Sequence, residues 1–188
     1  MAEHNLIAQA QRGDEAAWET LVREHQEAAF RLAYLILGDP AAAEDAAQDA
    51  FIRAYRAIGR FDASRPLRPW LLSITANLAR NRIRSAARYL GALQRLVRMQ
   101  PAGVAGDPGP QANNLELSTT LWQAVRRLGQ ADQEVIYFRY FLAMSESETA
   151  QGINVRPGTV KSRLHRALRR LREVVDRDFP ALREMVDL

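Results

Sequence analysis

Between Arg156 and Arg172 stand seven cations and no acid. If Val160, Leu164, Leu168 and Leu171, spaced four, four and three, face a core, then Lys161, Ser162, His165, Arg166 and Arg169 share the other side of one helix. Such a side carries donors suited to phosphate oxygens and to the acceptor edges of bases in a major groove. A second cationic stretch holds Arg80, Arg82, Arg84 and Arg88. Phe61 sits amid Arg60, Arg65 and Arg68, and its ring is as open to base stacking as to packing. Trp70, at helical spacing from Ile74, reads as core. Catalysis has little to work with: His4, His25 and His165 are scattered, and there is no phosphate loop, nucleophile motif or metal-ligand spacing. His25 falls on the inward edge of its helix and reads as a core or boundary histidine. The expectation is a non-enzymatic protein with no metal and no cofactor.

The charges are segregated along the 188 residues. A net charge of +4 conceals −5 over residues 1–62, +8 over 63–100, −2 over 101–117 and +3 over 118–188. Two basic stretches and an acidic region imply two polyanion contacts and a further surface with another purpose. With no cysteine, disulfides and thiolate metal sites are excluded. No apolar run is long enough to span a bilayer, and the first residues do not read as a secretory signal. A soluble, cytoplasmic protein without membrane contact is therefore expected.

The elements that must carry these residues read as helices. Pro101, Gly103, Gly106, Pro108, Gly109 and Pro110 fall within ten residues and mark a linker. Upstream, Asn5 can cap a short helix that Gly13 ends. Asp14 can cap a longer one, with Trp18, Leu21, Val22, Ala29, Leu32, Ala33 and Ile36 as its stripe, closed by Gly38. Asp39 and Pro40 suit N-cap and first position of a third helix, whose stripe is Ala43, Ala47, Ala50, Phe51, Ala54, Tyr55 and Ile58. Its opposite face presents Glu44, Asp45, Gln48, Asp49, Arg53 and Arg56, which by itself reads as a solvated exterior. After a loop from Arg60 to Arg68, Pro69 can open a fourth helix through Trp70, Leu71, Ile74 and Leu78. Downstream, Leu117, Leu121, Ala124, Val125 and Leu128 make one helix, and Gln133 to Phe141 a second that is apolar almost all round. Ser145 and Glu148 have capping-box spacing, Ala150 and Ile153 supply a buried side, Asn154 tolerates a left-handed turn, and Pro157 opens the cationic helix. That is the layout of a helix-turn-helix.

Three stretches together resemble the bacterial RNA polymerase sigma factors of the extracytoplasmic-function (ECF) type: AEDAAQDAFIRAYRAIGRF from Ala43 to Phe61, PWLLSITANLARNRIR from Pro69 to Arg84, and PGTVKSRLHRALRRLRE from Pro157 to Glu173. The resemblance implies an all-α protein of two small helical domains, sigma domain 2 over residues 1–98 and sigma domain 4 over 118–178. A Gly/Pro-rich linker over 99–117 would join them, and a short tail over 179–188 would follow. It implies that Asp45, Gln48, Asp49 and Arg53 dock on the beta-prime clamp helices of core RNA polymerase, which gives the acidic face its purpose. Asn77, with Phe61 and the loop bearing Arg60, Arg65 and Arg68, would form a pocket for a base flipped from the promoter −10 element. Arg80, Arg82, Arg84 and Arg88 would hold nearby phosphates. Arg156, Thr159, Lys161, Ser162, Arg163, His165 and Arg166 would meet the −35 element. Implied partners are core polymerase, through the clamp helices and the beta flap, promoter DNA, and an anti-sigma factor that restrains a stress- or signal-responsive initiation factor. The alternatives are a stand-alone helix-turn-helix regulator and an adaptor that binds a protein partner without reading DNA; the acidic helix speaks against the first and the cationic helix against the second. The chain departs from the family pattern at Leu67–Arg68–Pro69, where an aromatic is common, and at Asn81, where an acid is common. Gly152 takes a usually apolar place, and its backbone freedom is expected to weaken that helix relative to Ala.

Overall fold

The computed structural model describes residues 3–97 and 114–182. Most of the linker expected over 99–117 and the last residues of the tail lie outside them. The regular elements described are all helical, and the chain divides into two compact units, Met1–Asp107 and Pro108–Leu188.

The first unit is built of α1 (Glu3–Gln11), α2 (Glu15–Leu37), α3 (Pro40–Ala57), a 3-10 turn (Ile58–Arg60) and α4 (Leu67–Val97). Its boundaries follow local chemistry. Asp14 accepts the Ala17 N–H at 3.1 Å and Asp39 accepts the Ala42 N–H at 2.7 Å, each supplying an orphan donor of a first turn. Gly13 and Gly38 take positive φ, and the Gly38 N–H closes α2 onto the Tyr34 carbonyl at 2.8 Å. The buried residues of α3, namely Ala43, Ala46, Ala47, Ala50 and Ala54, are all alanine. With only methyl groups inward, α3 can approach both α2 and α4 closely. Leu21, Leu71 and Leu72 fill the centre.

Three expectations change here. Asn5 lies inside α1 rather than at its cap. Tyr55 is exposed and Phe51 half-buried, because the inward stripe of α3 is its alanine side. The fourth helix begins at Leu67, two residues before Pro69, which sits in the first turn where its missing N–H has no acceptor to lose.

The second unit holds α5 (Asn114–Arg126), α6 (Gln130–Ile136), a π turn (Tyr137–Phe141), α7 (Glu146–Gly152) and α8 (Pro157–Asp178). Helix α5 therefore starts within the expected linker. Leu121, expected inward, is exposed, and Trp122 is buried in its place. Tyr137, Phe138, Met144, Val125 and Val160 are the fully buried heart, and burial pushes the Tyr137 phenol above its ordinary range. Leu168 is also exposed. The inward side of α8 runs instead through Val160, Ala167 and Val174, with Leu164 and Leu171 half-buried beside them.

Gly152 overturns its expectation. It is buried, and a Cβ there would stand 2.2 Å from Cε1 of Phe138, a ring that is itself fully buried. Here glycine permits close packing of α7 on the π turn rather than weakening the helix.

Candidate nucleic-acid interface

In the first unit the loop after α3 is fixed from α1. The Gln11 amide nitrogen donates to the carbonyls of Ile58, at 2.9 Å, and Phe61, at 2.7 Å. Nδ1 of His4 donates to the Ala63 carbonyl at 2.8 Å, since a carbonyl can only accept. Glu3 sits 3.1 Å from Nε2 of buried His25 and meets the Leu67 N–H at the start of α4 at 3.5 Å. Within the loop, Asp62 accepts from the Ser64 hydroxyl at 2.7 Å and its N–H at 3.0 Å, and these bonds hold its carboxyl below the usual range.

Phe61 is half-buried with its ring centroid 4.6 Å from that of Trp70, so its backbone and one ring face are committed to the core edge. Arg60 and Arg65 are exposed around it, and Arg68 is half-buried at the base of α4. Asn77 is exposed on α4, and its Oδ1 accepts from Arg80, whose Nε also donates to the Ala76 carbonyl at 3.1 Å. At about 100° per residue, Trp70, Asn77, Arg80, Arg84 and Arg88 lie within roughly 60° of one line along α4. Exposed Arg84 and Arg88 extend that line past Asn77, Arg88 donating to the Ser85 hydroxyl at 3.1 Å.

Arg82, expected among these phosphate contacts, stands elsewhere. It is about 140° around α4 from Asn77, and its guanidinium reaches α3. Nη1 lies 3.2 Å from Asp45 and Nη2 2.8 Å from Asp49. The hydrogen bond to Asp49, more than the one to Asp45, raises its pKa above the ordinary arginine range. Asp45, Gln48 and Arg53 are exposed and Asp49 is half-buried on the same face of α3.

The second unit forms the helix-turn-helix. The Ser145 hydroxyl accepts the Glu148 N–H at 3.2 Å while the Glu148 carboxylate accepts the Ser145 N–H at 2.8 Å, a complete capping box at the start of α7. Asn154 turns the chain at φ 53°, and Pro157 opens α8 behind Arg156 at the N-cap position. Lys161, Ser162, His165 and Arg166 are exposed on one arc, with half-buried Thr159 and Arg163 at its flank. Two of these side chains lie along their own helix: the Ser162 hydroxyl donates to the Thr159 carbonyl at 3.1 Å and Nε of Arg166 to the Ser162 carbonyl at 3.2 Å. Arg170 is drawn back to α6 by buried Asp132, at 2.5 Å, and so braces the motif.

The α1 brace and the Asp132–Arg170 pair carried no sequence signal, because each joins residues with no fixed spacing between them.

Residues 21–89 match the Sigma-70 region 2 family and residues 118–171 the Sigma-70 region 4 family. The chain is 35% identical over 176 residues to the ECF RNA polymerase sigma factor SigW of Bacillus subtilis, covering 89% of this chain and 93% of SigW. It is 32% identical over 184 residues to the RNA polymerase sigma factor CnrH of Cupriavidus metallidurans, covering 94% of this chain and 96% of CnrH. Its structure is similar to that of CnrH in complex with the cytosolic domain of CnrY, with a TM-score of 0.71 and 28% identity over 95% of this chain and 99% of that one. The sigma factor RpoE of Bartonella quintana, in complex with the anti-sigma factor NepR, shares the fold with a TM-score of 0.62 and 24% identity over 85% of this chain and 97% of that one.

Proposed function

The chain belongs to the ECF group of the sigma-70 family, and from that membership we propose how its residues divide the work of initiation. A factor of this family binds core RNA polymerase and directs it to promoters. In our reading, Asp45, Gln48, Asp49 and Arg53 dock α3 on the beta-prime clamp helices, and the second unit meets the beta flap. Phe61, Arg60, Arg65, Arg68 and Asn77 receive the −10 strand, with Arg80, Arg84 and Arg88 along its phosphates. Arg156, Thr159, Lys161, Ser162, Arg163, His165 and Arg166 read the −35 element.

The observation that carries this reading is the line of Asn77, Arg80, Arg84 and Arg88 on α4, which runs along the same side of the helix as Trp70, the residue that Phe61 packs against. An aromatic edge, an amide and a row of guanidinium groups are what a single strand leaving a duplex requires. The stand-alone regulator accounts only for the second unit, whereas SigW and CnrH match across both. The chemistry is binding and strand separation, so the protein acts without catalytic groups, metal or cofactor.

Among the described residues no helix is long and apolar enough to cross a membrane, and the site of action is the cytoplasm, with the polymerase. An anti-sigma factor is its regulator: CnrH and RpoE were each solved with a partner protein bound, and NepR is an anti-sigma factor. The test is reconstitution on promoters selected from random DNA by core polymerase with this chain. Strand opening at a −10 sequence, dependent on the chain, is expected. Selection of a −35-like site by the chain alone, with no opening when core is added, would favour the regulator.

A further inference from the structure

Asp45 and Asp49 stand one turn apart on the outer face of α3, where two like charges repel. Arg82 answers both. Its fork gives Nη1 to Oδ2 of Asp45 at 3.2 Å and Nη2 to Oδ2 of Asp49 at 2.8 Å, and Nη1 also lies 3.4 Å from the Ala42 carbonyl. The planar guanidinium suits two separated carboxylates in a way that an ammonium does not. Its side chain is 34% exposed, against 68% for Asp45 and 49% for Asp49. The cation is the inner member of the cluster and the carboxylates are the outer ones. Each carboxylate meets Arg82 through one oxygen, so the other remains for a cationic partner.

We propose that Arg82 is a positioning residue for the docking face: it holds Asp45 and Asp49 at a fixed separation toward a cationic helical segment of core polymerase, and it does not contact DNA phosphate. This rests on reading α3 as the docking face. Arg80 and Arg84, its near neighbours in sequence, point along the other side of α4 and are not interchangeable with it. The fork also removes part of the repulsion between the two acids, so that they can be presented together without spreading apart.

The test uses full-length protein and core polymerase lacking sigma. Arg82→Ala should weaken core binding about three- to tenfold, as the loss of two partly exposed ion pairs allows. Arg82→Lys should recover only part of that loss. The salt dependence of promoter binding by the assembled holoenzyme should be unchanged. A fall of about one in its slope would make Arg82 a phosphate contact and overturn the proposal. In an Asp45→Asn/Asp49→Asn background, Arg82→Ala should cause no further loss. Weak core binding by that double variant together with wild-type binding by Arg82→Ala would overturn the positioning role and leave the docking reading standing. Wild-type binding by the double variant would overturn the docking reading itself. If Arg82→Ala does not fold, Arg82→Lys carries the same comparison.

Discussion

At the scale of single residues, three side chains separate recognition from folding. The Asn77 Oδ1 is engaged by Arg80, so in the proposed reading its amide N–H groups are the donors that would meet an extruded base. Asn77→Ala should therefore impair promoter opening and −10 selectivity with core affinity unchanged, as read by strand-opening assays and anisotropy. Loss of core binding instead would move Asn77 out of the DNA site. Arg166 is exposed on α8 and rests on the Ser162 carbonyl, and in the proposed reading it swings outward to a base edge of the −35 element. Arg166→Ala should cost roughly 1 to 3 kcal/mol at the −35 element, measured against mutated −35 sequences; an equal loss on every sequence would reduce it to a phosphate contact. Gly152→Ala offers a sharper contrast. Backbone entropy alone would have Ala stabilise by about 0.5 to 1 kcal/mol, but the Phe138 ring leaves no room for the methyl. Urea unfolding should show destabilisation of about 1 to 3 kcal/mol, and a stabilised variant would contradict the packing. The role of Gly152 has no local sequence signal, because the ring that excludes a side chain lies across a turn and belongs to another element.

At the scale of elements, what was legible was local. The caps at Asp14, Asp39 and Ser145, the left-handed Asn154 and the proline at the start of α8 each act within about four residues, and sequence spacing reports them directly. Which face turns inward was less legible. The alanine side of α3 won over its aromatics, and α8 turned enough to expose Leu168 and bury Ala167. Close helix approach selects small residues, a preference that hydrophobicity alone does not express. The long-range braces were invisible: Gln11 holds carbonyls 47 and 50 residues away, and Arg82 reaches an acid 33 residues away. Helix α1 thus supports the loop bearing Arg60, Phe61 and Arg65, which we propose receives the −10 strand. Gln11→Leu removes two hydrogen bonds, each worth about 1 kcal/mol. It should lower stability by about 2 kcal/mol and slow promoter opening, with −35 recognition intact. Unchanged stability and opening would show that the loop holds its shape without α1.

At the scale of the whole molecule, the proposed reading has the segregated charges divide the chain's surfaces between partners. The acidic face of α3, stabilised from within by Arg82, and the cationic lines on α4 and α8 oppose one another in sign, so one protein can approach a cationic protein surface and an anionic duplex without either competing for the other's contacts. The two-unit division was legible from the Pro/Gly-rich break in the sequence, and region 2 and region 4 matches fall on either side of it. The most direct test is titration of the purified chain into labelled core polymerase lacking sigma, followed by anisotropy and native mass. Saturable one-to-one binding well below micromolar, weakened by reversing charge at Asp45 and Asp49, is the expected result. A folded chain that fails to bind core at micromolar concentration, or binds equally well after the charge reversal, would contradict the account.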